Sequence, residues 1–106
     1  MEPLSRSDEI LLISILRLKD NAYGVTIVSE VAKRTGKQLT FGALWVSLDI
    51  LAKRGMVSKR TELPVNGGRK KIYYTVTPEG ASALEATRQL QKRLWRGMNP
   101  LLEDVK

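Results

Sequence analysis

The segment NGGRKKIYYTVTPEG, residues 66–80, holds a turn, a strand and a helix start in immediate succession. Asn66 and the two glycines after it supply the positive backbone φ angles that a hairpin turn requires. Residues 71–76 alternate between two sets of side chains, which is typical of a β-strand. Thr77, Pro78 and Glu79 then offer a capping oxygen, a first-turn proline and a carboxylate at the positive end of a helix dipole. The stretch predicts a β-hairpin that runs directly into a helix.

Three helices and the first hairpin strand are predicted before this stretch. The first helix begins at Ser7, and its apolar residues cover more than one face, which is typical of a helix buried in a core or in a subunit interface. The second helix ends at Gly36. The third follows the cap residue Thr40, ends at Gly55 and has one apolar stripe, formed by Leu44, Leu48 and Leu51. A strand is predicted from Val57 to Leu63.

The order of these elements predicts the fold class. It is mainly α with a small β-hairpin, arranged as a winged helix-turn-helix followed by a C-terminal dimerisation helix. We assign residues 1–77 to the winged helix-turn-helix, 78–99 to the dimerisation helix and 100–106 to a tail, because Gly97 and Pro100 are expected to stop the last helix.

The composition excludes several classes of function. The 106 residues include no cysteine and no histidine, so disulfides, the usual zinc ligands and the common serine-histidine or cysteine-histidine nucleophiles are absent. We therefore expect neither an enzyme nor a metal or cofactor site. The apolar run from Ile10 to Leu16 is too short for a membrane span and follows acidic rather than basic residues, unlike a secretory signal. A cytoplasmic protein without membrane contact is expected.

The positive charge is concentrated in one part of the chain. The net charge is +7, and residues 33–71 contain ten basic side chains and two acidic ones. A solvated surface usually mixes the two signs, whereas concentrated positive charge is typical of a protein that binds a polyanion such as nucleic acid. The third helix adds a face of small side chains, which suits entry into the major groove of DNA. A merely solvated basic surface and an ordinary amphipathic helix are the alternative interpretations.

Four pieces of the chain resemble the PadR family of transcriptional regulators. They are residues 22–24 (AYG), 44–45 (LW), 48–55 (LDILAKRG) and 67–80, and the resemblance extends over about residues 7 to 96. It implies a homodimeric repressor of the short form, with a single C-terminal dimerisation helix. Trp45 and Val46 stand where the family usually has tyrosine and proline, so the base preference of the family need not carry over.

The resemblance and the charge pattern together predict which residues contact double-stranded DNA. In the third helix and its approach these are Gln38, Thr40, Ala43, Trp45, Val46 and Lys53. The predicted hairpin forms the wing of the fold. At its tip Asn66, Gly67 and Gly68 allow close approach of the backbone, and Arg69, Lys70 and Lys71 supply charge. Tyr23 is placed to meet a phosphate at the start of the second helix. Plain packing is the alternative for Tyr23, and burial in the core is the alternative for Trp45.

A second set of residues is predicted to hold two copies together. The dimer interface is expected to contain Leu11, Ile15, Leu84, Thr87, Leu90, Leu94, Trp95 and Met98. Some short members of the family bind flat aromatic compounds at the dimer interface, which implies a site for a planar aromatic small molecule at Leu94, Trp95 and Met98. Simple packing of Trp95 in the dimer seam is the alternative.

Two other classes of function compete with DNA binding. The winged helix could dock onto another protein with its basic face unused, although the charge at the wing argues against this. Binding to duplex RNA is disfavoured because the A-form major groove is too narrow for a helix.

Overall fold

The computed structural model describes residues 3–65 and 67–106. In the described residues the chain forms five helices, one 3₁₀ turn and one hairpin, which confirms the predicted fold class. The elements are α1 (Arg6–Leu18), the 3₁₀ turn (Lys19–Asn21), α2 (Gly24–Thr35), α3 (Phe41–Lys53), β1 (Val57–Glu62), β2 (Lys71–Val76), α4 (Pro78–Trp95) and α5 (Met98–Val105).

Side-chain caps set the starts of α1, α3 and α4. The Thr40 hydroxyl accepts a hydrogen bond from the Ala43 amide at 3.1 Å, and the Thr77 hydroxyl accepts one from the Gly80 amide at 3.1 Å, so both predicted caps are confirmed. The first helix differs from the prediction, because its cap is Ser5 rather than Ser7. Helix α1 therefore begins two residues earlier than predicted.

The hairpin is an antiparallel pair that is tied to the helical body. Its register runs from Val57 opposite Val76 to Glu62 opposite Lys71. The Tyr74 amide also donates to the Ala22 carbonyl at 2.8 Å, which gives β2 a hydrogen bond on its other edge. The base of the wing is thus fixed beside the start of α2.

The core lies between α1, α2, α3 and the base of the hairpin. All three leucines of the α3 stripe are buried, as predicted. Leu11 and Ile15 are buried as well, with only 3% and 1% of their surfaces exposed within the single chain. Their predicted place in the dimer interface is therefore corrected: they belong to the core of the monomer, and a helix that is apolar on several sides is compatible with both arrangements.

Helix α4 packs its first three turns against this core. A side chain at Gly80 would collide with the Met56 carbonyl and lie 2.9 Å from Val76 Cγ1, so only glycine permits this close approach. Thr87 is buried, and its hydroxyl accepts a hydrogen bond from the Leu4 amide at 3.2 Å. Thr87 therefore joins the N-terminal segment to α4 inside one chain, which corrects its predicted place in the dimer interface.

The C-terminal end differs from the prediction. Helix α4 ends at Trp95, Gly97 adopts a left-handed conformation with φ 76°, and α5 then covers most of the expected tail. Pro100 was expected to stop a helix but lies in the first turn of a new one, where a proline is tolerated because its missing amide hydrogen has no helical partner. No residue of α5, Met98–Val105, is buried.

Candidate nucleic-acid interface

The face of α3 opposite its buried stripe is open to solvent. Val46 lies near the middle of this outer face with 62% of its surface exposed, and Lys53 lies two turns further along. Three residues one turn from Val46 share this face and were not among the predicted DNA contacts: they are Gly42, Asp49 and Ile50. They lie three or four positions from Val46 in the sequence, and this spacing places residues on the same side of a helix. We call the set Gly42, Val46, Asp49, Ile50 and Lys53 the outer face of α3.

A carboxylate sits within this outer face. Asp49 Oδ2 lies 3.0 Å from Lys53 Nζ, and its other oxygen lies 3.9 Å from Lys59 Nζ on β1. The hydrogen bond from Lys53, and then the positive charges of both lysines, lower the pKa of the Asp49 carboxyl below its ordinary value. Asp49 therefore stays ionised at neutral pH and engages two of the basic side chains on this side of the protein.

The approach to α3 is exposed at each predicted position. Gln38 lies in the connection before the helix, and Ala43 is exposed on the flank of α3, at the edge of a cleft towards α1 and α2. The hydroxyl of Thr40 is occupied as the helix cap. Thr40 consequently has a structural role whether or not it also meets DNA.

Trp45 and Tyr23 lie between α3 and the wing. Trp45 is 41% exposed, its ring centroid lies 6.4 Å from that of Tyr74, and its indole passes close to Gly24. Trp45 is therefore a partly packed surface residue rather than a core residue. The ring of Tyr23 packs edge-on against Tyr73 at 5.4 Å, so packing is an observed role of Tyr23.

The wing presents a group of cations. Arg69, Lys70 and Lys71 are exposed, and none of them forms an ion pair within the residues that the structure describes. Lys71 Nζ lies 4.6 Å from the centroid of the Tyr23 ring, within the range of a cation–π contact. Gly67 has φ 73° and Gly68 is exposed beside it, whereas the predicted Asn66 lies outside the described residues.

A cleft joins the wing to α3. It measures about 420 Å³ and is bordered by Tyr23 from the start of α2, by Phe41 and Trp45 from the start of α3, and by the three wing cations. The structure thus brings Tyr23, Trp45 and the wing together. Val46 and Lys53 lie on the adjoining outer face of α3.

Comparison with known proteins identifies this arrangement. The model of the transcriptional regulator PadR-like family matches residues 12–86, which include α2, α3 and the whole hairpin. The chain belongs to the PadR-like family. It is therefore a DNA-binding transcriptional regulator of a family that is not enzymatic.

Solved structures agree with this assignment. A PadR family transcription regulator from Clostridium difficile R20291 is 28% identical, with a TM-score of 0.73 over 90% of this chain and 97% of that one. Two structures under 25% identical show the same fold. A PadR family regulator from Eggerthella lenta is 23% identical, with a TM-score of 0.72 over 92% of this chain and 84% of its own. A PadR-like regulator from Bacillus cereus is 22% identical, with a TM-score of 0.71 over 91% and 90%. A comparison with curated proteins finds no match.

The PadR-like chain has a second exposed surface, which is apolar. Leu94 and Trp95 at the end of α4 are 65% and 58% exposed, and Met98 beside them is partly buried. Leu84 and Leu90 are also partly buried, and α5 adds Leu101, Leu102 and Val105 as exposed apolar side chains. Ile13 and Leu16 of α1 border a cleft on the same side of α4 as Leu84. We call the exposed side chains at the end of α4 and along α5, namely Leu94, Trp95, Leu101, Leu102 and Val105, the apolar arm surface.

The described helices of this PadR-like protein include none with the length and apolar character needed to cross a lipid bilayer.

Proposed function

We propose that this PadR-like regulator represses transcription as a homodimer that places α3 in the major groove of DNA and lays its wing along the neighbouring backbone. The observation that carries the proposal is the cleft at which the start of α3 meets the wing cations, which form no ion pair among the described residues. A helix with small outward side chains next to a basic hairpin suits base contacts from the helix and phosphate contacts from the hairpin.

The proposed roles of the contact residues follow from their positions. Ala43 and Val46 face base edges, and Gln38, Thr40, Trp45 and Lys53 contact the backbone beside them. Arg69 reaches toward the minor groove, while Lys70 and Lys71 bind phosphates together with the backbone at Gly67 and Gly68. Tyr23 meets a phosphate at the start of α2 in addition to packing on Tyr73. Asn66 is proposed to contact DNA from its position in the sequence alone.

The homodimer is supported by the apolar arm surface. The chain is 61 Å long and only 29 and 21 Å across, and the large side chains at the end of α4 and along α5 remain exposed in a single copy. Such a surface needs a partner, and a second copy would also supply the two-fold symmetry that a palindromic operator matches. Leu84, Leu90, Leu94, Trp95 and Met98 remain the proposed interface residues.

An effector site for a planar aromatic small molecule is proposed at Leu94, Trp95 and Met98. The exposed indole of Trp95 offers a stacking surface beside two apolar side chains. A planar cationic dye is expected to quench tryptophan fluorescence in Trp45→Phe but not in Trp95→Phe. Equal quenching in Trp95→Phe would remove Trp95 from the site.

Titration of a labelled duplex tests the main proposal. The protein is titrated at low salt against a DNA duplex of random sequence and against the matching RNA duplex. Both titrations are then repeated at rising salt concentrations. We expect binding to DNA, weaker binding to RNA and a steep loss of affinity with salt. Failure to bind either duplex would favour the protein-docking alternative, and equal binding to both would favour RNA.

A further inference from the structure

Two large apolar side chains lie at the tip of the wing and take no part in the contacts proposed above. Leu63 directly follows β1 and is 77% exposed, and Val65 is 98% exposed. The other exposed large apolar side chains of the described residues all lie on helices. A leucine and a valine gain nothing from phosphates, and their exposure to water is unfavourable. The pair is therefore suited to burial against a partner.

The loop that carries this pair is shaped by its own contacts. Pro64 restricts the residue before it, Leu63, to extended conformations. A methyl group placed on Gly68 would lie 3.7 Å from Pro64 Cβ, so the two sides of the loop face each other at van der Waals distance. Pro64 is partly buried, whereas the residues on either side of it are exposed. This alternation is typical of an extended segment, and it presents Leu63 and Val65 together on the open side.

Positive charge lies beside the apolar pair. Arg69 borders the same small surface cleft as Leu63 and Val65. The carboxylate at this cleft, Glu62, forms an ion pair with Arg60 at 2.9 Å, which offsets its charge. An apolar pair beside a cation is complementary to the minor groove of DNA, which has phosphates along its edges and stacked bases between them. The base of the wing is fixed beside α2, so its tip can reach the duplex that α3 contacts.

We propose that Leu63 and Val65 form an apolar wedge that enters the minor groove beside Arg69, partly unstacks one base step and bends the duplex. The wedge rests on the proposed function, because the wing must lie on DNA for its tip to reach a groove. Apolar side chains inserted between bases kink DNA, and pyrimidine–purine steps such as TA and CA are the easiest to deform. The wedge therefore adds a sequence preference at a step outside the bases that α3 reads.

The stacking of the bases tests the wedge directly. The protein selects a preferred duplex from a random pool, and each adenine of that duplex is replaced in turn by 2-aminopurine, whose fluorescence rises when its base is unstacked. We expect a rise at a step beside the bases that α3 reads, and a shorter end-to-end distance of the duplex by energy transfer. Binding without either change would overturn the wedge and leave the proposed function standing. Failure to bind any duplex would overturn both.

Leu63→Gln and Leu63→Met separate apolar character from size. Both side chains are of similar length and position 63 is exposed, so neither change should alter the melting temperature. Leu63→Gln should lose most of the fluorescence rise and bind the selected duplex about tenfold more weakly, because a polar side chain gains little between bases. Leu63→Met should keep both. Equal losses in the two variants would contradict an apolar wedge.

A change in the DNA separates the wedge from phosphate binding. The responsive TA or CA step is replaced by AA, which is stiffer. The affinity of the unaltered protein should fall by about three- to tenfold. Leu63→Gln should bind the two duplexes alike, because it no longer deforms this step. Equal losses for the unaltered protein and Leu63→Gln would assign the step preference to another part of the protein and overturn the wedge.

Discussion

Replacing Asp49 with asparagine should tighten DNA binding. The Asp49 carboxylate holds Lys53 at 3.0 Å and lies 3.9 Å from Lys59, so the substitution releases two ammonium groups and removes a negative charge from the outer face of α3. Each lysine that goes on to neutralise a phosphate should steepen the slope of log K against log salt by about 0.9. We expect affinity for all sequences to rise by about three- to tenfold near 100 mM salt. Because the lysines lower the pKa of Asp49, the carboxyl stays ionised at neutral pH. Substitution is therefore needed to release the two lysines near neutral pH.

Fluorescence anisotropy with a random-sequence duplex, between about 50 and 200 mM salt, measures both quantities. Asp104→Asn at the end of α5 makes the same change of charge far from α3 and serves as the control. Weaker binding by Asp49→Asn, or a change in its preferred sequence, would contradict this role of Asp49. Either result would mean that the carboxylate accepts a hydrogen bond from a base, as acidic side chains do from the amino group of cytosine.

Three further substitutions probe the wing, the helix face and the fold. Arg69→Gln should weaken binding to every sequence and flatten the salt slope by about 0.9, and an unchanged slope in the same titration would count against a phosphate or minor-groove contact. Val46→Ala should alter the preferred sequence in a selection from random duplexes, at about 1 to 3 kcal/mol per lost base contact, whereas a uniform loss would place Val46 away from bases. Gly80→Ala should lower the free energy of unfolding in urea by about 1 to 3 kcal/mol, because the added methyl meets the Met56 carbonyl. Gly42→Ala, with nothing within 4 Å of the added methyl, is its control and should not destabilise.

Local chemistry made much of the fold predictable. The turn glycines, the alternation of 71–76 and the cap at Thr77 act over a few residues, so each could be read from its neighbours. Pro100 misled the prediction because proline both ends helices and occupies their first turns, and only the left-handed Gly97 before it decides between the two. The start of α1 was misplaced because Ser5 and Ser7 are equally good caps in isolation.

The candidate site was predictable where it depends on one helix or one turn. The wing cations and Val46 could be named from charge and helical spacing, and Asp49 with Lys53 is an i, i+4 pair that was equally readable. The cleft was not predictable, because Phe41 and Lys71 lie 30 positions apart and meet only when the hairpin folds against α2 and α3. Leu11 and Ile15 were misassigned because an apolar pattern does not tell a core from a subunit interface.

Tethered cleavage of DNA tests whether α3 and the wing meet one duplex side by side. The chain has no cysteine, so Val46→Cys and Gly68→Cys each carry a single iron chelate that cuts nearby DNA, with Lys92→Cys as the control on α4. We expect localised cuts from positions 46 and 68 within the same half-site, offset by a few base pairs from the major to the minor groove, and none from position 92. Diffuse cleavage from all three positions, or cuts from 46 and 68 in separate sites, would contradict this arrangement of α3 and the wing.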